Sequence, residues 1–239
     1  MSLKELNSKN SDLEQYAYTV SHDLQEPLRM ISGFLTQLQK KYSNVLDEKA
    51  TMYIHYAMNG TKRMKDIIID LLEFSRITRN DDPFVEVNIN EIISDVELMN
   101  KRLISQSKAT ISYNDLPVIY TNRTVLMQIF QNLVNNSLKY SLTGRNPFIE
   151  ITFTENDDYW EFKISDNGAG IAEEDLENVF VMFKRVGNTS AKGTGMGLAL
   201  VKKAIENLNG SIRVESELEV GSSFYFTIPK THQVVSYKR

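Results

Sequence analysis

The chain has 239 residues, 41% hydrophobic and 24% charged, with a formal net charge of −4 and no cysteine. Such a length holds one large or two modest domains with buried cores. Mild acidity without a basic stripe argues against nucleic acid as a partner. The absence of cysteine excludes disulfides and thiolate metal sites, and no apolar run reaches the roughly 20 residues of a membrane span.

From Leu3 to about Tyr42 the pattern is one long helix, with Leu13, Ala17, Val20, Leu24, Ile31, Leu35, Leu38 and Tyr42 at spacings of three and four. At about 100° per residue, His22 falls nearly opposite that stripe, on the solvent side. An exposed histidine is usually incidental. Here Asp23 can accept a hydrogen bond from one imidazole nitrogen, which fixes the tautomer and leaves the other lone pair nucleophilic. Pro27 lacks the N–H that would bond the Asp23 carbonyl, so the helix is expected to flex beside His22.

Ser43 and Asn44 break that helix, and Asp47 is the expected N-cap of a second one running to about Ile77. Ile54, Ala57, Met64, Ile68, Leu71 and Phe74 form its apolar face. A lone helical hairpin buries too little surface. Two hairpins paired as a four-helix bundle close the stripe, so a homodimer is expected.

Turn formers from Arg79 to Pro83 mark a linker. Beyond it strands and helices alternate: strand Phe84–Ile89, helix Glu91–Gln106, strands Ala109–Tyr113 and Val118–Tyr120, helix Arg123–Tyr140. A hairpin follows, Phe148–Thr154 and Trp160–Ser165, turning at residues 155–158. Glu173–Phe180 reads as a short helix and Thr194–Leu208 as a longer one, with a last hairpin from Ser211–Glu215 and Ser223–Ile228.

Three stretches in this half carry polar or glycine patterns suited to a ligand. Asn132, Asn136, Lys139 and Tyr140 share one helix face, opposite Leu126, Ile129, Phe130, Leu133 and Val134. Two amides and an ammonium on one face are either a solvated surface or a holder for a metal-bound triphosphate, with amide oxygens as hard Mg²⁺ ligands. The runs Asp166 to Ile171 and Gly193 to Leu198 each contain several glycines, and the second opens an amphipathic helix. Either could be turn punctuation, but glycines also let backbone N–H groups approach phosphate oxygens.

Taken in order, six segments resemble the boxes of a sensor histidine kinase catalytic core. Ser21–Arg29 resembles the H box, Asn132–Ser141 the N box, Asp166–Ile171 the G1 box and Phe180–Arg185 the F box. Gly193–Leu198 resembles the G2 box and Gly221–Phe226 the last glycine box. The H-box wording is most similar to kinases attached to phytochrome or other PAS/GAF-type sensory modules.

That resemblance implies an α+β protein. Residues 1–80 would be a dimerisation and histidine phosphoacceptor domain, an N-terminal helical hairpin dimerising into a four-helix bundle. Residues 81–230 would be a catalytic ATP-binding domain, a two-layer α/β sandwich of the GHKL (Bergerat) type with helices on one face of a mixed sheet. Residues 231–239 would be a tail.

It also implies roles. His22 attacks the γ-phosphorus of ATP, with Asp23 as orienter and proton acceptor, and the phosphoryl group then passes to an aspartate on a response-regulator receiver domain. Asp166 accepts the adenine amino N–H, and Gly168 and Gly170 let the base come close. Asn136 ligates Mg²⁺ with Asn132 beside it, and Lys139 and Tyr140 face the phosphates or sugar. Phe180 to Lys192 form a mobile lid, with Phe183 as an apolar latch and Arg185 near the γ-phosphate. Gly193, Gly195 and Gly197 cradle phosphates. The location implied is cytoplasmic, the chain being a soluble excerpt of a longer sensor whose upstream sensory module, membrane-attached in some relatives, lies elsewhere.

Two departures qualify this. Many members of the family place Thr or Asn four residues after the histidine, to orient water for dephosphorylating the partner; here that position is Glu26, which puts phosphatase activity in doubt. Gyrase-, chaperone- and mismatch-repair-type ATPases carry a glutamate where Asn132 stands, and an amide is no general base. A hydrolysing clamp is disfavoured, and a catalytically silent scaffold is opposed by intact Asn136, Asp166, Gly195 and Gly197.

Overall fold

The computed structural model describes residues 3–77, 82–185 and 193–230, and only the backbone of 3–20, 22 and 75–77. The solvent-side expectation for His22, residues 79–81 of the expected linker, residues 186–192 of the expected lid and the tail from 231 lie outside the described residues. The chain divides into two compact units, Met1–Arg76 and Ile77–Arg239.

The first unit consists of α1 (Leu3–Lys41) and α2 (Glu48–Ile77), and α1 runs unbroken through Pro27. Asp47 caps α2 as expected, its Oδ1 accepting the Ala50 N–H at 2.7 Å. Buried positions recur every seven residues, Ser21 and Leu28 on α1 and Ile54, Thr61 and Ile68 on α2. This is the spacing of a helical seam. Beside it, Leu24, Ile31 and Leu38 on α1 and Tyr53, Met64 and Leu71 on α2 remain 37–63% exposed. The hairpin therefore leaves a second apolar stripe uncovered.

The second unit contains β1 (Val85–Asn88), α3 (Ile89–Ser107), β2 (Thr110–Tyr113), β3 (Val118–Thr121), α4 (Arg123–Lys139), β4 (Phe148–Glu155) and β5 (Tyr159–Asp166). After a 3₁₀ turn at Glu173–Asn178 come α5 (Gly197–Asn207), β6 (Ile212–Glu217) and β7 (Gly221–Pro229). β1 and β3 form an antiparallel ribbon. The main sheet has the order β2-β4-β5-β7-β6, with only β2 and β4 parallel.

Alternation along the strands divides the sheet into an apolar and a polar face. Phe162 and Phe226 stack at 5.2 Å, and Phe130 of α4 sits edge-on to both, at 5.8 and 5.5 Å. Ile149, Ile151 and Ile164 complete this fully buried layer. The other face is polar. There Arg213 pairs with Glu161 at 2.6 Å and lies 3.9 Å over the Tyr225 ring. Helices thus cover one face only, the two-layer α/β arrangement expected.

Most boundaries shift by one or two residues from the sequence pattern, and three differences have a clear physical reason. α3 begins at Ile89 rather than Glu91, because Asn88 caps it, its Oδ1 accepting the Asn90 N–H at 3.0 Å. The segment from Glu173 is a six-residue 3₁₀ turn with no buried residue; without an apolar face nothing extends it into an α-helix. α5 starts at Gly197 rather than Thr194, since Gly195 is left-handed at φ +82°.

Candidate active site

α4 forms the floor of the site. Asn122 caps it through Val125 N–H at 3.1 Å, and its apolar side from Val125 to Leu138 is buried. The opposite side carries Asn132, Asn136 and Lys139, as expected. The Asn132 amide nitrogen donates to its own helix at the Gln128 carbonyl, 3.0 Å away. Its Oδ1 faces Gly197, where an added Cβ would stand 3.1 Å from that oxygen and about 4 Å from the Asn136 amide. The first residue of α5 thus lies close to the Asn132 amide, and a side chain there would need that oxygen to give by a few tenths of an ångström.

Lys139 and Tyr140 end the helix together. The Lys139 ammonium lies 4.7 Å over the Tyr140 ring centroid, donates to its hydroxyl at 3.2 Å, and abuts Gly193. The Tyr140 carbonyl accepts the Ala169 N–H at 2.9 Å, joining the end of α4 to the loop after β5.

Asp166 heads that loop. Its Oδ1 accepts from Gly168 N–H at 2.9 Å and Ser222 N–H at 3.3 Å, and its Oδ2 from the Ser137 hydroxyl at 3.0 Å. Burial raises its pKa above the ordinary 3.8, while these three hydrogen bonds pull the other way. Gly170 is left-handed at φ +69°, and a Cβ there would collide with the Glu217 carbonyl. Ser137 is absent from the sequence-based site, although a hydroxyl on the buried stripe of α4, 3% exposed, was its available signal.

One backbone contact joins the two described segments that flank residues 186–192. Phe183, left-handed at φ +61°, donates its N–H to the Gly195 carbonyl at 3.1 Å. Val181, Met182 and Phe183 are 44–51% exposed, so none is a core residue here. Met196 is fully buried, as a packing residue should be. Arg185, the last residue described before residues 186–192, is exposed.

On α1, Asp23 is exposed, and Glu26 pairs loosely with Arg29 at 3.6 Å. His55 is exposed beside Tyr56. Among the described residues no cluster of three His, Asp or Glu side chains could hold a metal. Mg²⁺ binds through one or two protein oxygens together with substrate phosphates, and the amide oxygens of Asn132 and Asn136 are of that donor type.

A half-buried carboxylate backed by N–H groups, an amide-bearing helix and a glycine-opened second helix lie on a fold of the GHKL ATPase class. Residues 121–232 match the histidine kinase-, DNA gyrase B- and HSP90-like ATPase family, and residues 12–80 match the His Kinase A (phospho-acceptor) domain. The phytochrome-like protein Cph1 of Synechocystis sp. is 37% identical over 95% of this chain, which spans 30% of that relative's length. The catalytic domain of histidine kinase ThkA is 31% identical, with a TM-score of 0.52 over 62% of this chain and 97% of that one. ThkA in complex with the response regulator TrrA is 28% identical, with a TM-score of 0.60 over 95% of this chain and 65% of that one. The chain belongs to the histidine kinase family and comprises its phosphoacceptor and ATPase-like parts. Among the described residues no helix is long and apolar enough to cross a membrane.

Proposed function

We propose that the chain autophosphorylates on His22 with ATP and then passes the phosphoryl group to an aspartate of a response-regulator receiver domain. The observation that carries this reading is the half-buried Asp166 carboxylate, held by Ser137, Gly168 and Ser222 and stitched through Ala169 to the end of α4. An aimed carboxylate acceptor suits the exocyclic amine of adenine.

In the proposed transfer a ring nitrogen of His22 forms a bond to the γ-phosphorus as the bond to the β–γ bridging oxygen breaks. ADP leaves, and Asp23 takes the imidazole proton. Asn136, with Asn132 beside it, would hold Mg²⁺, which when bound supplies positive charge to the phosphate oxygens. Lys139 and Tyr140 face phosphates or sugar, Gly193, Gly195 and Gly197 cradle phosphates, Gly168 and Gly170 admit the base, Phe183 latches the lid, and Arg185 serves the γ-phosphate. The rate then rests on positioning and charge neutralisation. The domain limits proposed are 1–80, 81–230 and a tail from 231.

A homodimer supports this arrangement, because a second hairpin would cover the exposed stripe through Leu24, Ile31, Leu38, Tyr53, Met64 and Leu71. A cytoplasmic location, downstream of a sensory module, completes the reading. Incubation with γ-labelled ATP and Mg²⁺ tests it: label stable in base and lost in acid marks phosphohistidine, and free phosphate without labelled protein would instead mark a hydrolase.

A further inference from the structure

Two residues without an assigned role hold the Asp166 loop from outside. The Asn167 side chain accepts the Phe148 N–H at 2.8 Å and donates to the Asn146 carbonyl at 3.1 Å, binding the loop to the α4–β4 connection. From that same connection Arg145 reaches out, and its Nη1 donates to the carbonyls of Asn167 and Glu219, both at 3.1 Å. Glu219 is the left-handed residue of the β6–β7 turn, at φ +62°, and donates its N–H to the Ala169 carbonyl at 2.8 Å. One guanidinium nitrogen therefore ties three segments remote in sequence at the edge where Asp166 is presented.

Arg145 is exposed, so its contacts add little to the core. Their effect is directional. A hydrogen bond weakens steeply with misalignment, and the acceptor atoms of Asp166 move with the backbone of Asn167. We propose that Arg145 and Asn167 form a clasp that aims Asp166 at adenine, making Arg145 a positioning residue for base selectivity rather than a nucleotide contact. This rests on the reading of Asp166 as the adenine acceptor.

The test compares the full chain with Arg145→Ala, Arg145→Lys, Asn167→Ala and Asp166→Ala, measuring kcat, KM and binding for ATP and GTP. Arg145→Ala should raise the ATP KM and Kd about tenfold, the scale of two exposed hydrogen bonds, with kcat within about twofold. GTP affinity should not change, so selectivity falls by the same factor. Arg145→Lys should recover most of the loss, since an ammonium has donors for both carbonyls, and Asn167→Ala should repeat the pattern of Arg145→Ala. Equal losses for ATP and GTP would make Arg145 a sugar or phosphate contact, and an unchanged selectivity or a fall in kcat alone would also overturn the clasp. If the wild type binds ATP no better than GTP, or Asp166→Ala loses nothing, the adenine reading itself fails whatever Arg145 does.

Discussion

The Ser137 hydroxyl lies 3.0 Å from Oδ2 of Asp166, joining the buried face of α4 to the end of β5. All three groups that bond this carboxylate, from Ser137, Gly168 and Ser222, are uncharged. Its ionisation therefore depends on hydrogen bonds alone against a burial that favours the neutral acid.

ATP affinity should consequently have an acid limb at higher pH than an ordinary aspartate would give. Below the raised pKa of Asp166 the acid carries a proton where adenine needs an acceptor, so binding weakens as pH falls. Ser137→Ala removes a contact that lowers that pKa and should move the limb to higher pH. Calorimetric ATP binding across a pH series checks both; an unmoved limb in Ser137→Ala would detach the hydroxyl from the titration.

Asp166→Asn should bind ATP at least tenfold more weakly yet fold at least as stably near neutral pH. The amide oxygen can still accept from Gly168 and Ser222, and its nitrogen can donate to Ser137, whose own proton turns to the Leu133 carbonyl at 3.2 Å. The sign follows from linkage. A carboxyl whose folded pKa is raised binds more protons folded than unfolded, so its ionisation lowers stability as pH rises. The advantage of Asn should shrink as pH falls through the folded pKa, seen as converging unfolding temperatures.

His22→Gln should abolish protein labelling and leave nucleotide affinity within about twofold, because the acceptor lies on the helical unit and the site residues on the other. Acid-labile label persisting on the variant would redirect attention to His55, which is exposed beside Tyr56, or to His232.

Asn136→Ala should lose labelling by weakening Mg²⁺-dependent phosphate placement, a cost on the order of 1–3 kcal/mol for one buried ligand contact. Mixed dimers with His22→Gln on one subunit and Asn136→Ala on the other should label only if transfer crosses subunits. Labelling equal to background assigns transfer to a single chain.

Phosphatase activity toward a phosphorylated receiver should be weak, and Glu26→Thr should increase it several-fold. Glu26 is exposed on α1 and engaged only loosely by Arg29, at 3.6 Å, so its charge would face an incoming acyl-phosphate with little compensation. The decay rate of the phospho-receiver with ADP present measures this. Slower decay with threonine would make Glu26 itself the group that positions water.

Local patterns were enough for the element order, the Asp47 cap, the shared face of Asn132, Asn136 and Lys139, and the uncovered stripe of the hairpin. Each depends on spacings within one helix or strand, where a period of 3.6 or 2.0 reports directly on burial. The same patterns took the 3₁₀ turn at Glu173–Asn178 for a short helix and misplaced the start of α5, where a missing apolar face and one left-handed glycine override propensity.

The surroundings of Asp166 were decided only by tertiary structure. Ser137, Ser222, Arg145 and Glu219 meet around its loop from α4, the strand β7, the α4–β4 connection and the β6–β7 turn. Nothing in their spacing relates them, because the sheet order β5-β7-β6 and the docking of α4 bring them together. The sequence by itself marked out the amide, glycine and carboxylate groups of the candidate site; packing between distant segments decided which partners hold them.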